Sequence, residues 1–270
     1  MSATSGGPFF DAQAATFRAR AGLPARVRAE VAATIVEVGR LGPSRGVIDV
    51  GAGAGDIGLE LAASGVDYVG LDASPAMLEQ FRSDAARAGV YPRLVVADAG
   101  GPWPVAPGSA AVIFGSRSLH WLDPAHVATE AFTAASPEGA LLVVGRVERD
   151  ADSPRTRARR ALRDLLAREG IQGRSGKRSS ARLVEECVRR GASALPRRVV
   201  SSFGVRTSIR DAIEAFRGKP GLAGTAVDEP VKSRILDELR FTLEAFGNID
   251  TAQDSVERYV LEGVTLIDGA

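Results

Sequence analysis

Short apolar runs rich in β-branched residues recur five times in the first half of the chain, at residues 46–50, 68–71, 93–97, 111–115 and 140–145, with helical patterns set among them. An apolar run of that length without polar alternation reads as a strand buried on both faces. Strands that alternate with helices need crossover connections, so the pattern restricts the fold to α/β: a parallel sheet with helices on both sides. The helices announce themselves separately. Val27, Val31, Ile35 and Val38 stand three and four residues apart in 23–40, a short helix fits 57–63, and Ser74-Pro75 and Asp123-Pro124 are cap-then-proline starts.

After residue 148 the pattern changes. Ser153-Pro154 opens an Arg-rich helix, 170–180 reads as a polar loop, and 181–190 as a second helix. Strand signals return at 198–205 and within 256–267, around helices at 209–217 and 230–246. The expected architecture is therefore a doubly wound sheet of seven strands with a helical cap inserted between strands five and six. Three segments follow from it: a core over 1–148, a basic cap over 149–197, and a completion of the sheet with further cap helices over 198–270. The net charge is only +1, but residues 149–198 hold fifteen Arg and Lys against six Asp and Glu, so the remainder is acidic.

The most informative stretch runs Val47-Ile48-Asp49-Val50-Gly51-Ala52-Gly53-Ala54-Gly55. A buried strand that ends in closely spaced glycines can turn sharply and bring its backbone against a ligand with no Cβ between them. On spacing alone the glycines are ambiguous, because Gly53-x-Gly55-x-x-Gly58 with Asp72 downstream also fits a dinucleotide fingerprint. A plain strand-to-helix turn is the blander alternative. Three acids narrow the choice. Asp49 lies inside an apolar strand, where an unpaired carboxylate is costly and calls for a cation or hydrogen-bond donors. Asp72 ends the second strand, where a carboxylate can take both hydroxyls of a ribose, and Asp98 ends the third at the same edge.

With these residues the sequence resembles the class I, Rossmann-like, S-adenosylmethionine-dependent methyltransferases, in the small-molecule branch (methyltransferase type 11) that includes trans-aconitate and ubiquinone-pathway enzymes. Ser74-Pro75-Ala76-Met77-Leu78 is similar to that family's SPxML, and Ser118-Leu119-His120-Trp121-Leu122 to its LHW segment after strand four. The resemblance implies S-adenosyl-L-methionine as cofactor. It gives the methionine end to Asp49, Gly51, Ala52 and Gly53, the ribose to Asp72 and Ala73, and the adenine to Met77, Asp98 and Ala99. Ser116 after strand four completes the set. Phe17 and Arg20, in 17–24, are similar to a segment that closes over the cofactor. The chain departs from the family at Ala111, where Asp is frequent, and at Pro137-Glu138-Gly139, where a proline-glycine-glycine turn is frequent; neither touches the expected contacts. The Asn-Pro-Pro-aromatic tetrapeptide of many nucleic-acid amino methyltransferases is absent from the sequence.

The expected reaction is methyl transfer to a small molecule, at oxygen, since the sequence offers no amine-specific carboxylate cluster and no catalytic cysteine. His120 reads either as a general base or as a pocket residue that shapes the substrate site, with Trp121 beside it. The basic segment reads either as solvated helix faces or as a lid that attracts an anionic or carrier-linked acceptor through Arg174, Lys177 and Arg178. Two rival classes remain at this stage: a nicotinamide-dependent oxidoreductase, and a protein that binds the cofactor without catalysis. One cysteine, Cys187, and two histidines leave no disulfide and no thiolate-rich metal site. With no leader pattern at 1–13 and no apolar run near ~20 residues, the expectation is a cytoplasmic protein with no membrane and no nucleic-acid partner. Heavy use of Ala, Arg and Gly points to a GC-rich bacterial genome. Oligomeric state has no signal.

Overall fold

A computed structural model describes residues 22–173, 176–219 and 221–269. In chain order its elements are α1 (Ala25–Gly39), β1 (Gly46–Val50), α2 (Gly58–Ala63), β2 (Tyr68–Asp72), α3 (Pro75–Arg87), β3 (Arg93–Val96) and β4 (Ala110–Ser116). Then come a 3₁₀ turn (Leu119–Trp121), α4 (Pro124–Ala134), β5 (Ala140–Arg149), α5 (Pro154–Arg168), α6 (Gly176–Arg189), β6 (Ser193–Thr207), α7 (Ile209–Arg217), α8 (Glu229–Glu244) and β7 (Gln253–Ile267). The caps are as the sequence implies: Ser74, Asp123 and Ser153 accept from the backbone N–H of Met77, His126 and Thr156, each ahead of a proline in the first turn.

The seven strands are ordered β3-β2-β1-β4-β5-β7-β6. β1 through β5 are all parallel, with Asp49 level with Gly70 on β2 and Phe114 on β4, and Asp72 level with Val96 on β3. Chain order runs outward from β1 to β3 and then returns to β4 on the other side of β1. That reversal is the point in an open parallel sheet where adjacent loops diverge and leave a crevice beyond the carboxyl ends of the strands.

The chain forms two compact units. The first comprises residues up to Arg146, Gly176–Ser201 and those from Tyr259; the second comprises Val147–Ser175 and Ser202–Arg258. In the first, Ile48, Val50, Leu71, Ile113, Leu142 and Val144 of the sheet pack with Val127 and Ala131 of α4 and with Leu183 and Cys187 of α6. In the second, Ala158, Leu162, Leu165 and Leu166 of α5 share a core with Ile209 and Ile213 of α7 and Ile235, Leu236 and Leu239 of α8. The basic stretch expected to form one insertion over 149–197 is thus divided: α5 belongs to the second unit, and α6, by its apolar stripe, to the first.

Three elements also have bounds other than expected. β6 and β7 are longer than the strand signals at 198–205 and within 256–267, because their added residues, Ser193 to Arg197 and Gln253 to Ser255 among them, carry no continuous apolar run. The loop expected over 170–180 ends at Gly176, so Lys177 and Arg178 lie in the first turn of α6 instead of in a loop. That turn has no apolar residue, and a helix start without a buried stripe leaves no periodic signal. Phe17, Arg20 and Arg174 lie outside the described residues. No helix among the described residues is long and apolar enough to cross a membrane.

Candidate ligand pocket at the carboxyl edge of the sheet

The crevice lies entirely in the first unit and encloses a cavity of about 180 Å³. Its wall is laid down strand by strand. β1 supplies Asp49 and Val50 and leads into Gly51, Ala52, Gly53 and Ala54. β2 supplies Asp72, followed by Ala73 and by Met77 on α3; the turn after β3 supplies Asp98 and Ala99; and β4 supplies Ser116. Every described residue expected at the cofactor lines this one cavity.

The glycines are needed where they stand. Gly51, Gly53 and Gly55 all have positive φ, a conformation that side chains rarely adopt. A Cβ on Gly51 would come within 2.3 Å of the Ser118 Cβ, and one on Gly55 within 2.3 Å of the Phe81 ring. Gly53 is different: a Cβ there meets nothing within 4 Å, so its backbone is bare toward the cavity. The loop is pinned by its neighbours, with the Gly51 and Ala52 N–H groups donating to Leu71 O and the Ser118 hydroxyl to Val50 O at 2.5 Å.

Asp49 is 3% exposed. Its Oδ2 accepts from the Tyr68 hydroxyl at 2.8 Å, while Oδ1 has no hydrogen-bond partner among the described residues. Burial, partly offset by the Tyr68 hydrogen bond and reinforced by the nearby Asp72 charge, pushes its carboxyl up to about 7. Burial and the same Asp49 charge push the Tyr68 phenol up as well, so it stays a donor. Asp72 is oriented by backbone: Gly53 N–H donates to Oδ2 and Ser74 N–H to Oδ1, both at 2.8 Å. The loop carrying Asp98 is set by the Gly100 N–H on Asp98 Oδ1 and by the His126 ring, whose Nε2 lies 3.1 Å from Ala99 O and 2.9 Å from Gly101 O. His126 thus has a positioning part.

Two lining residues, Asp56 and Arg117, had no place in the sequence reading. Arg117 follows β4 with φ 59°, an unusual value for a residue with a Cβ, and its guanidinium donates to Asp56 Oδ2 at 2.7 Å. Asp56 also accepts from the Leu23 N–H at 3.2 Å, so the chain enters α1 beside the cavity. Asp56 follows Gly55 directly, and that adjacency was the available signal. For Arg117 there was none, because a left-handed arginine has no sequence mark. Tyr259 of β7 is fully buried and hydrogen-bonded to the Ser116 hydroxyl at 2.7 Å, a pairing 143 residues apart in sequence. Among the expected substrate residues, Trp121 lines the cavity. His120, half-buried on the same 3₁₀ turn with its ring 5.4 Å from that of Trp121, is not in the lining.

Residues 47–139, about a third of the chain, match the family model described as "Methyltransferase domain". Among solved structures, the chain is similar to a putative methyltransferase from Bacillus halodurans C-125: 13% identity, 88% of this chain and 99% of that one covered, TM-score 0.57. It is also similar to geranyl diphosphate C-methyltransferase from Streptomyces coelicolor A3(2), solved with geranyl diphosphate and S-adenosyl-L-homocysteine: 12% identity, 88% and 78% covered, TM-score 0.50. A third is the (4+2)-cyclase SpnF: 17% identity, 89% and 81% covered, TM-score 0.54. No curated protein matches the sequence.

Proposed function

The chain carries a class I, S-adenosylmethionine-dependent methyltransferase domain, and from that premise we propose that it methylates a small molecule at oxygen, with an anionic or carrier-linked metabolite as acceptor. The observation that carries the cofactor assignment is the pair of buried Asp49 oxygens, one satisfied by Tyr68 and the other turned to no group of the described chain. A carboxylate left so in a cavity calls for a cation, and the amino-acid end of S-adenosylmethionine brings an ammonium. The residues fit the rest of that molecule too. Asp72, preset by two backbone donors, can take two ribose hydroxyls; Asp98 and Ala99 stand at the next strand end for an adenine amine; Met77, buried and lining the cavity, offers an apolar face. When bound, the cofactor supplies a methyl group activated by its sulfonium.

The chain's own residues then act chiefly by orientation. Fixing two reactants in place contributes ~7–11 kcal/mol toward a barrier, and the pinned glycine loop and the backbone-held Asp72 provide that fixity. Trp121 shapes the acceptor side. His120, one residue away, is assigned the proton of an acceptor hydroxyl, and Arg174, Lys177 and Arg178 the attraction of an anionic acceptor. The fold alone does not choose the reaction, since a cyclase shares it. Cofactor binding without methyl transfer is therefore the second reading, and product formation separates the two.

The direct test is a melting-shift comparison. A ligand selective for the folded state at 100 times its Kd adds about 2.7 kcal/mol, so S-adenosylhomocysteine should raise the melting temperature while NAD leaves it unchanged. A shift with NAD alone overturns the assignment.

A further inference from the structure

The charge run that dominates the second half of the sequence gathers, within the second unit, around a single buried acid. Glu257 on β7 is 4% exposed, and its Oε1 accepts from two guanidinium groups at once, Arg149 Nε at 2.9 Å and Arg155 Nη1 at 2.8 Å. Arg155 begins a row on α5: Arg159 and Arg163 follow at four-residue intervals, along the edge of the face that buries Ala158, Leu162, Leu165 and Leu166. Like charges at that spacing repel, and the Glu257 charge acts against that repulsion at Arg159. Among the described residues, no hydrogen bond or ion pair engages the guanidinium of Arg159 or of Arg163. Asp150 is paired with Arg258 at 2.7 Å, and Asp211 accepts from the Ser208 N–H at 2.8 Å. Two guanidinium groups thus bond one carboxylate, and two more continue their row along α5. Arg159 is exposed, and partial desolvation, then the charges of Arg149 and Arg163, lower its guanidinium to about 10.

We infer that Arg149, Arg155, Arg159 and Arg163 form a binding site for a multiply charged anion of the phosphate class, such as the phosphate or diphosphate of a small-molecule ester. Arg149 and Arg155 are held in place by Glu257, and Arg159 and Arg163 keep their planar donor forks for the ligand. A guanidinium fork matches two oxygens of a phosphoryl group, and a dianion offsets the excess charge that one glutamate leaves. The inference does not depend on methyl transfer.

Pyrophosphate is the probe, titrated calorimetrically into the full chain at low salt. One equivalent should bind, with affinity that falls as salt rises. The variant R159Q/R163Q leaves the Glu257 pairs untouched; it should keep the wild-type melting temperature and bind pyrophosphate at least ~10-fold more weakly. S-adenosylhomocysteine affinity should be the same in both proteins; loss of that binding in the wild type would strike at the methyltransferase reading and leave the anion site standing. No pyrophosphate binding by the wild type at millimolar concentration overturns the site, as does equal binding by the double variant. Malonate binding as tightly as pyrophosphate overturns the phosphate class.

Discussion

At the scale of single residues, Asp49 and Asp72 show how one side chain type does two jobs by environment. Asp72 is held by backbone donors, and replacing it with Ala removes charge-assisted bonds worth roughly 1.5–3 kcal/mol, so calorimetry should show S-adenosylhomocysteine affinity lower by about 10- to 100-fold. Asp49 has its carboxyl raised to about 7, above the unfolded value of 3.8, by burial first. With the folded value raised, the folded state holds the proton more tightly. Asp49 therefore favours folding most at low pH, and that advantage is lost as pH climbs from about 4 to about 7. Two outcomes follow. D49N, which still accepts from Tyr68, should raise the melting temperature of the ligand-free protein more at pH 8 than at pH 5. In the native chain, S-adenosylhomocysteine binding should release a proton and weaken as pH falls below about 7, which calorimetry in buffers of differing ionisation enthalpy detects. The sequence made both acids legible, because a carboxylate inside or at the end of an apolar strand demands a reason. It left Tyr68, Tyr259 and Arg117 illegible, since the reason for each is a partner brought near only by the fold.

Elements were read best where a local rule sets them. The strands of the first unit came from apolar runs, and the Ser-Pro and Asp-Pro starts of α3, α4 and α5 from the chemistry of a cap and a proline's fixed φ. The start of α6 was missed for the converse reason: Gly176, Lys177, Arg178 and Ser179 carry no apolar stripe, so nothing in the pattern separates them from a loop. The glycine turn between β1 and α2 gives an element-scale prediction, because its glycines serve different ends. Gly51→Ala forces a Cβ to 2.3 Å from Ser118, so the turn must move; the protein should lose stability and ligand affinity together. Gly53→Ala clashes with nothing in the protein and strains only a residue at φ 54°, a cost of about 1–2 kcal/mol, but it places a methyl group on the cavity wall. Chemical denaturation should show a modest loss for Gly53→Ala, and titration a loss of S-adenosylhomocysteine affinity out of proportion to it. Equal affinity loss per unit of lost stability in the two variants would mean that Gly53 is only a turn residue.

For the whole molecule, the property visible in sequence but not resolved by it is the separation of charge, an Arg-rich stretch set against an acidic remainder. Composition could not say which arginines act together, because that depends on which helix joins which core: α5 packs with α7 and α8, whereas α6 joins the sheet and α4. If the acceptor is anionic, two proposed sets of cations can be told apart: Arg174, Lys177 and Arg178, and the row from Arg149 and Arg155 at Glu257 to Arg159 and Arg163. They are separable by their salt dependence. Exposed charges act through a field screened over ~8 Å at physiological salt, so neutralising a set that merely steers the acceptor should raise KM at low salt and have little effect at high salt. A set that bonds the acceptor through guanidinium forks should raise KM at both, since close, oriented hydrogen bonds survive screening. Steady-state assays of R174Q/K177Q/R178Q and of R159Q/R163Q across ionic strength should give the first behaviour for the triple variant, and for the double variant the second, provided that the acceptor itself carries a phosphate. If neither variant changes KM at any salt, the acceptor is not recognised by charge, and the case for an anionic substrate falls while that for the cofactor pocket stands.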